Sequence, residues 1–191
     1  ITRNLLKTLK FPLAAPSANF SSRVSAVDSS HIREDFDNKI KFILEGGKSN
    51  IGVESTIIDL RNKPTILRLG GLEVSKIQKI LNKKIVRKNS NSKIMYPGQS
   101  KLHYSPGMPL KMNIKNAKDS EAFILLKKRK KIKSNYFFLS KKNNLKEAAK
   151  NLYSILRKIK KSKYKSIVVQ RIPNRGLGIT INDRLKRASK Y

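Results

Sequence analysis

The sequence predicts a two-part α/β chain, and three observations carry that prediction. Short apolar runs alternate with amphipathic stretches, the pattern of strands linked by helices. A polar, almost unpatterned stretch from Lys83 to Pro109 divides the chain, longer than an ordinary connection within a domain. Before that divide, three strand-like runs each meet hydroxyls, a glycine or a lone arginine, which a strand that only filled a core would not need. The expected organisation is therefore residues 1–82 as one part, 83–109 as a linker or functional loop, and 110–191 as a small α/β domain.

The elements follow in order. Leu5, Leu6 and Leu9 predict a helix that ends before Phe11 and runs into a strand, with Pro12 and Pro16 punctuating it. Ser29 or Ser30 is placed to cap a short helix holding Ile32 and Phe36, with His31 at its exposed start. Lys39 to Leu44 reads as a strand stopped by Gly46-Gly47. Ser55 to Leu60 and Thr65 to Leu69 read as neighbouring strands about a turn at Asn62-Lys63-Pro64. Val74, Ile77, Ile80 and Leu81 recur at helical spacing. Beyond the linker, Leu110 to Ile114, Ala122 to Leu126, Tyr136 to Leu139 and Ser166 to Gln170 read as strands. Leu145, Ala148, Ala149, Leu152, Leu156 and Ile159 form one face of a helix whose other face is lysine-rich. Asn182 to Ser189 reads as a closing helix, preceded by Gly176-Leu177-Gly178 as a tight turn. Strands alternating with helices imply a mostly parallel sheet.

Composition bounds the function. The chain has 191 residues and no cysteine, which excludes a disulfide framework and thiolate metal sites. Two histidines make a histidine metal site an unpromising reading, and no metal ligands are expected. No run approaches the ~20 apolar residues that span a bilayer. The formal charge of +32 has two readings. Lysine far outnumbers arginine and asparagine is common, which favours compositional bias filling solvated positions; affinity for RNA phosphates is the second reading. A first residue of Ile rather than Met leads to the expectation that the chain begins inside a longer protein.

Three segments carry the chemistry. Ala15 to Ser25 combines small residues, which allow close backbone approach, with the Ser17 and Ser25 hydroxyls, which can donate to phosphate oxygens; an ordinary serine-rich turn is the alternative. Strand alternation puts Val53, Ser55, Ile57 and Asp59 on one face and Glu54, Thr56, Ile58 and Leu60 on the other. Ser55 and Thr56 then stand at the strand's start, either lining a pocket or satisfying a sheet edge. Arg68 sits among Ile66, Leu67, Leu69 and Gly70, where a guanidinium needs a partner. That partner is a phosphate or carboxylate ligand, or else a structural pairing with Asp59 or Glu54. Lys127 to Lys133 reads as a solvated turn first and an RNA contact second.

Taken together, Pro12 to Ser21, Gly52 to Leu60 and Ile66 to Gly71 resemble the YrdC-type L-threonylcarbamoyladenylate synthases in order and spacing. Pro97-Gly98 through His103-Tyr104-Ser105-Pro106 looks like the linker of the two-domain version. The end, Gly176 to Leu185 with Arg187-Ala188, is similar too. The resemblance implies the C-terminal part of a YrdC-like twisted mixed-sheet domain, a linker, and a small Rossmann-like domain. It implies a cytoplasmic nucleotidyltransferase in tRNA threonylcarbamoyladenosine modification, converting ATP, L-threonine and bicarbonate to threonylcarbamoyl-AMP and pyrophosphate, with Mg2+ arriving on ATP. It further implies that Ala15, Ser17, Ser25 and Arg68 contact ATP, that Tyr104 closes over the nucleotide as a lid, and that Ser55 contacts threonine. The tRNA threonylcarbamoyl-transfer machinery would take the product. Ser22, Ala26-Val27 and Leu69 depart from the family's usual Gly, Pro-Thr and Pro. With upstream parts of the pocket outside the chain, the expectation is an inactive fragment when alone. The rival reading is a non-enzymatic basic RNA-binding protein of YrdC-like fold.

Overall fold

The structure, a computed structural model, describes residues 1–37, 39–87 and 103–190. The expected Tyr96-Pro97-Gly98 turn lies outside them. Helix α1 (Thr2–Thr8) buries none of its residues. The strand expected after it does not form: residues 12–17 are irregular and exposed, and Pro12 and Pro16 can donate to no sheet partner. Helix α2 (Ser29–Phe36) is capped by Asp28, whose carboxylate accepts from the His31 N–H at 3.2 Å. Asp28 thus takes the place expected of Ser29 or Ser30. His31 is buried rather than exposed, and its Nδ1 accepts from the Val27 N–H at 3.3 Å. Residues 39–44 alternate as a strand would, yet they form none, and Ile40, Phe42 and Leu44 stay exposed.

Strands β1 (Ile57–Asp59) and β2 (Thr65–Arg68) pair antiparallel, with an irregularity between Ile57 and Ile58 that interrupts simple alternation. Helix α3 (Val74–Leu81) ends at Asn82 in the left-handed region (φ 48°) and returns the chain to β3 (Val86–Arg87), parallel to β2. The first sheet is therefore mixed, as expected, with order β1-β2-β3.

The C-terminal part is a parallel sheet of β4 (Leu110–Met112), β5 (Ala122–Lys127), β6 (Tyr136–Ser140) and β7 (Ile167–Val169), ordered β4-β7-β5-β6. Period-two alternation sorts each strand. Ala122, Ile124, Leu126, Leu139, Ile167 and Val169 face helices α4 (Leu145–Lys160) and α5 (Leu177–Ala188). Phe123, Leu125 and Val168 face the other way, under Ile114, Ala117, Tyr136 and Phe138. Both helices thus cover the same face, a difference from a sheet wrapped on both sides. Asn144 caps α4 through the N–H groups of Lys146 and Glu147, and Arg157, Lys158 and Lys160 complement its C-terminal dipole. Helix α5 starts at Leu177 rather than Asn182. Gly176, at φ 49°, is its N-cap, and Gly178 lies where a Cβ would overlap the Pro173 carbonyl. The glycine pair is the helix entry, and helical pitch already begins inside the predicted turn.

The two parts share a core. Val24, Val27 and Tyr104 join the cluster built on Leu152, Leu156 and Leu185. Gly52, at φ 77°, rests on the Lys150 backbone, where no Cβ would fit. By contrast, fourteen of the fifteen exposed large hydrophobics fall between Ile1 and Val86. The N-terminal part therefore leaves many large apolar side chains uncovered by the described residues.

Candidate functional site

The carboxylate of Glu54, just before β1, gathers three side chains from three places in the sequence. It accepts from Ser25 Oγ at 2.8 Å, from the Tyr153 hydroxyl on α4 at 2.9 and 3.0 Å, and from Arg184 Nε on α5 at 2.9 Å. Arg184 is 1 % exposed; it also donates to the Leu69 carbonyl at 2.5 Å and to Asp183 at 2.8 Å. Thr180, one turn earlier, donates to the Gly70 carbonyl at 3.0 Å. Helix α5 thus holds the Leu69-Gly70 segment that follows Arg68. Burial alone would raise the Glu54 pKa, but the Arg184 charge, its own backbone N–H and the Ser25 hydroxyl outweigh it and hold the carboxyl below its ordinary value. Burial and the neighbouring Glu54 charge push the Tyr153 hydroxyl well up.

Tyr104 closes this knot from the linker side. It is 1 % exposed, sits in the left-handed region at φ 63°, stacks on Tyr153 at 5.9 Å, and lies 4.6 Å from the Arg184 guanidinium. A bulky residue at positive φ costs on the order of 1–2 kcal/mol, which the surrounding packing must offset. Ser105 anchors the step by donating its N–H to the Ser22 carbonyl at 2.8 Å. The Tyr104 hydroxyl and His103 Nδ1 are buried with no hydrogen-bond partner among the described residues. Burial lowers the His103 pKa, assisted by Arg184, Arg187 and Arg68 against Glu54, which favours the neutral ring. The charge of Arg68 also reaches Tyr104. Arg68 itself donates through Nε to the Ser55 carbonyl and through Nη2 to Ser55 Oγ, both at 3.0 Å.

The structure therefore joins Arg68 to Ser55, and the charge of Arg68 reaches the His103-Tyr104 step. It turns Ser25 toward Glu54. Ala15 and Ser17 stay on the exposed irregular segment, where the Ser17 carbonyl accepts from the Asn19 N–H at 3.0 Å. Glu54 pairs with Arg184 and Asp59 accepts from Arg61 at 2.8 Å. The sequence reading missed Glu54, Tyr153 and Arg184 as a unit. A single Glu in an apolar strand was its one visible trace, and the partners lie 99 and 130 residues away. Among the described residues no group of three or more His, Asp or Glu could hold a metal ion, and no helix is long and apolar enough to cross a membrane.

With this geometry in view, comparisons with known proteins are informative. Residues 72–190 match the family described as threonylcarbamoyl-AMP synthase, C-terminal domain, and residues 1–70 match the one described as telomere recombination. The threonylcarbamoyl-AMP synthase of Pyrococcus abyssi is 31% identical over 100% of this chain and 62% of its own length. That of Bacillus subtilis is 28% identical over 97% and 59%, and that of Schizosaccharomyces pombe 30% over 93% and 52%. The chain thus spans some six tenths or less of these relatives. Two solved structures are similar. The P. abyssi protein complexed with L-threonine has a TM-score of 0.78 at 29% identity, over 93% of this chain and 58% of that one. A double-alanine variant of the same protein has a TM-score of 0.72 at 28% identity, over 94% and 56%. Both parts align in one arrangement with a protein of this kind, and the chain belongs to the threonylcarbamoyl-AMP synthase C-terminal domain family.

Proposed function

We propose that this chain is the C-terminal portion of an L-threonylcarbamoyladenylate synthase. In the reaction, the threonine amine and bicarbonate condense with loss of water to a carbamate, whose oxygen attacks the α-phosphate of ATP, and pyrophosphate leaves as the α–β phosphoanhydride bond breaks. Threonylcarbamoyl-AMP is the product and the donor for tRNA modification in the cytoplasm. The observation that carries the reading is that Arg68, bonded to Ser55, has a charge that reaches His103 and Tyr104, each of which buries a polar atom without a partner among the described residues. Buried polar groups without partners call for a ligand or water, and guanidinium and phosphate match in charge and shape.

In this proposal Arg68 neutralises charge that develops on the phosphates, and Ser55, whose hydroxyl it holds, orients threonine. Ser25, Ser17 and the Ala15 backbone border the nucleotide, with Ser25 fixed by Glu54. Tyr104 excludes water from the acyl phosphate, its ring positioned by Arg184 and Tyr153. Catalysis is then mainly positioning and electrostatics. Mg2+ would ride on the triphosphate and add to the charge neutralisation there. The many exposed apolar side chains of residues 1–86 fit a chain that works together with the rest of the span its relatives have, so this chain alone is expected to be inactive.

The test is pyrophosphate release by a polypeptide in which this chain continues an upstream region of the relatives' length. Release that requires both threonine and bicarbonate supports the proposal. Release indifferent to both, from a folded protein, contradicts it.

A further inference from the structure

The C-terminal part carries charge in a pattern that composition does not explain. Residues 110–191 hold 25 of the chain's 44 Lys and Arg, but only four of its 12 acidic residues. Lysine outnumbers arginine by 32 to 12, so compositional bias accounts for scattered lysines. It does not account for clustered arginines. Yet Arg87, Arg129, Arg171 and Arg187 line two abutting cavities, of about 680 and 710 Å3, which share Asn113 and Arg171. The trough lies beyond the carboxyl ends of β4 and β7, the side on which open parallel sheets take ligands.

Its charges are unevenly satisfied. Arg87 and Arg187 both pair with Asp183, the one carboxylate on the lining. Arg129 is steered by the rings of Phe123 and Tyr136, at 5.7 and 5.9 Å, rather than by an acid. Arg171, common to both cavities, has no ion pair among the described residues, and Lys115, Lys186 and Lys190 extend the same sign along the rim. So many like charges repel one another unless a polyanion lies across them. The rest of the lining narrows the class of polyanion. Asn113, Gln170, Asn174 and Asn182 offer donors and acceptors, while among the described residues the lining itself includes no aromatic ring on which a base could stack. That set suits the phosphates and 2′-hydroxyls of a folded RNA rather than splayed single-stranded bases.

We propose that this trough is an RNA-backbone site, read by charge and shape, distinct from the Arg68 site and independent of the synthase chemistry. The test is fluorescence anisotropy of a labelled RNA hairpin with the chain, across a salt series. Arg171→Ala should weaken binding several-fold and reduce the slope of log K against log salt by about one; Arg129→Ala/Arg171→Ala should cost about tenfold and reduce the slope by about two. Lys163→Ala/Lys165→Ala removes two exposed charges near the amino end of β7 and should change binding less than about twofold, with circular dichroism confirming that each variant is folded. Equal weakening by the control pair overturns the site and leaves diffuse charge. Tighter binding to phosphatidylglycerol vesicles than to the hairpin would also overturn it, in favour of a membrane surface.

Discussion

Glu54→Ala should be the most damaging single truncation at the junction of the two parts. The substitution leaves Arg184, 1 % exposed, with the Leu69 carbonyl and Asp183 but without the carboxylate on its Nε. Removing one partner of a buried ion pair costs about 3–5 kcal/mol, because the other charge stays desolvated. The Ser25 and Tyr153 hydroxyls lose their acceptor at the same time, at about 1 kcal/mol each where water cannot replace it. Water entering the space left by the carboxylate can replace that acceptor, so the ion-pair term sets a net loss of about 3–5 kcal/mol. In urea, at about 2 kcal/mol per molar, this lowers the midpoint by about 2 M, read by circular dichroism. Glu54→Leu/Arg184→Met removes both charges of the pair, leaving Asp183 to Arg87 and Arg187, and should be milder than Glu54→Ala alone, with a coupling of at least about 2 kcal/mol across the cycle. The pH dependence has a definite sign. The folded-state pKa of Glu54 lies below its ordinary 4.5, so its contribution is complete above that value and fades as pH falls through the lower folded pKa. Glu54→Gln should flatten this acid limb. A cost under about 1 kcal/mol for Glu54→Ala, or strict additivity in the double variant, would refute the reasoning.

Two further substitutions probe how the parts are built. Gly52→Ala places a Cβ against the Lys150 backbone at φ 77° and should cost about 2–4 kcal/mol by thermal or urea unfolding, from left-handed strain plus overpacking. Asn144→Ala removes the cap of α4, which bonds Lys146 and Glu147, and should cost about 1 kcal/mol with no change in RNA binding.

The C-terminal sheet was legible because each buried strand there is a short apolar run and α4 has an uninterrupted apolar stripe. Alternation in Ala122 to Leu126 also places its residues on two faces. The N-terminal part was harder to read. Residues 39–44 have the alternation of a strand, but alternation cannot supply a pairing partner, and here none is present among the described residues. Asp28 displaced two serines as a cap, since an ionised carboxylate accepts from backbone N–H at least as well. His31 was misplaced because a capped helix start looks exposed in sequence, while in space the ring is buried and bonded by the Val27 N–H. In the candidate site, the Arg68 and Ser55 positions could be read locally, and they meet. The Glu54-Tyr153-Arg184 knot could not, because no short-range signal links residues so distant in the chain. Tyr104 was visible as a linker residue, but its depth of burial was not.

The most direct test of the central claim follows carbon-13 bicarbonate through the reaction. With ATP, threonine and a chain continued to the relatives' length, mass spectrometry should show threonylcarbamoyl-AMP carrying the label, and Arg68→Ala should reduce its formation at least about a hundredfold, the scale of losing a transition-state charge contact. AMP and pyrophosphate without labelled adduct, or an Arg68→Ala variant as productive as the parent, would contradict the assignment.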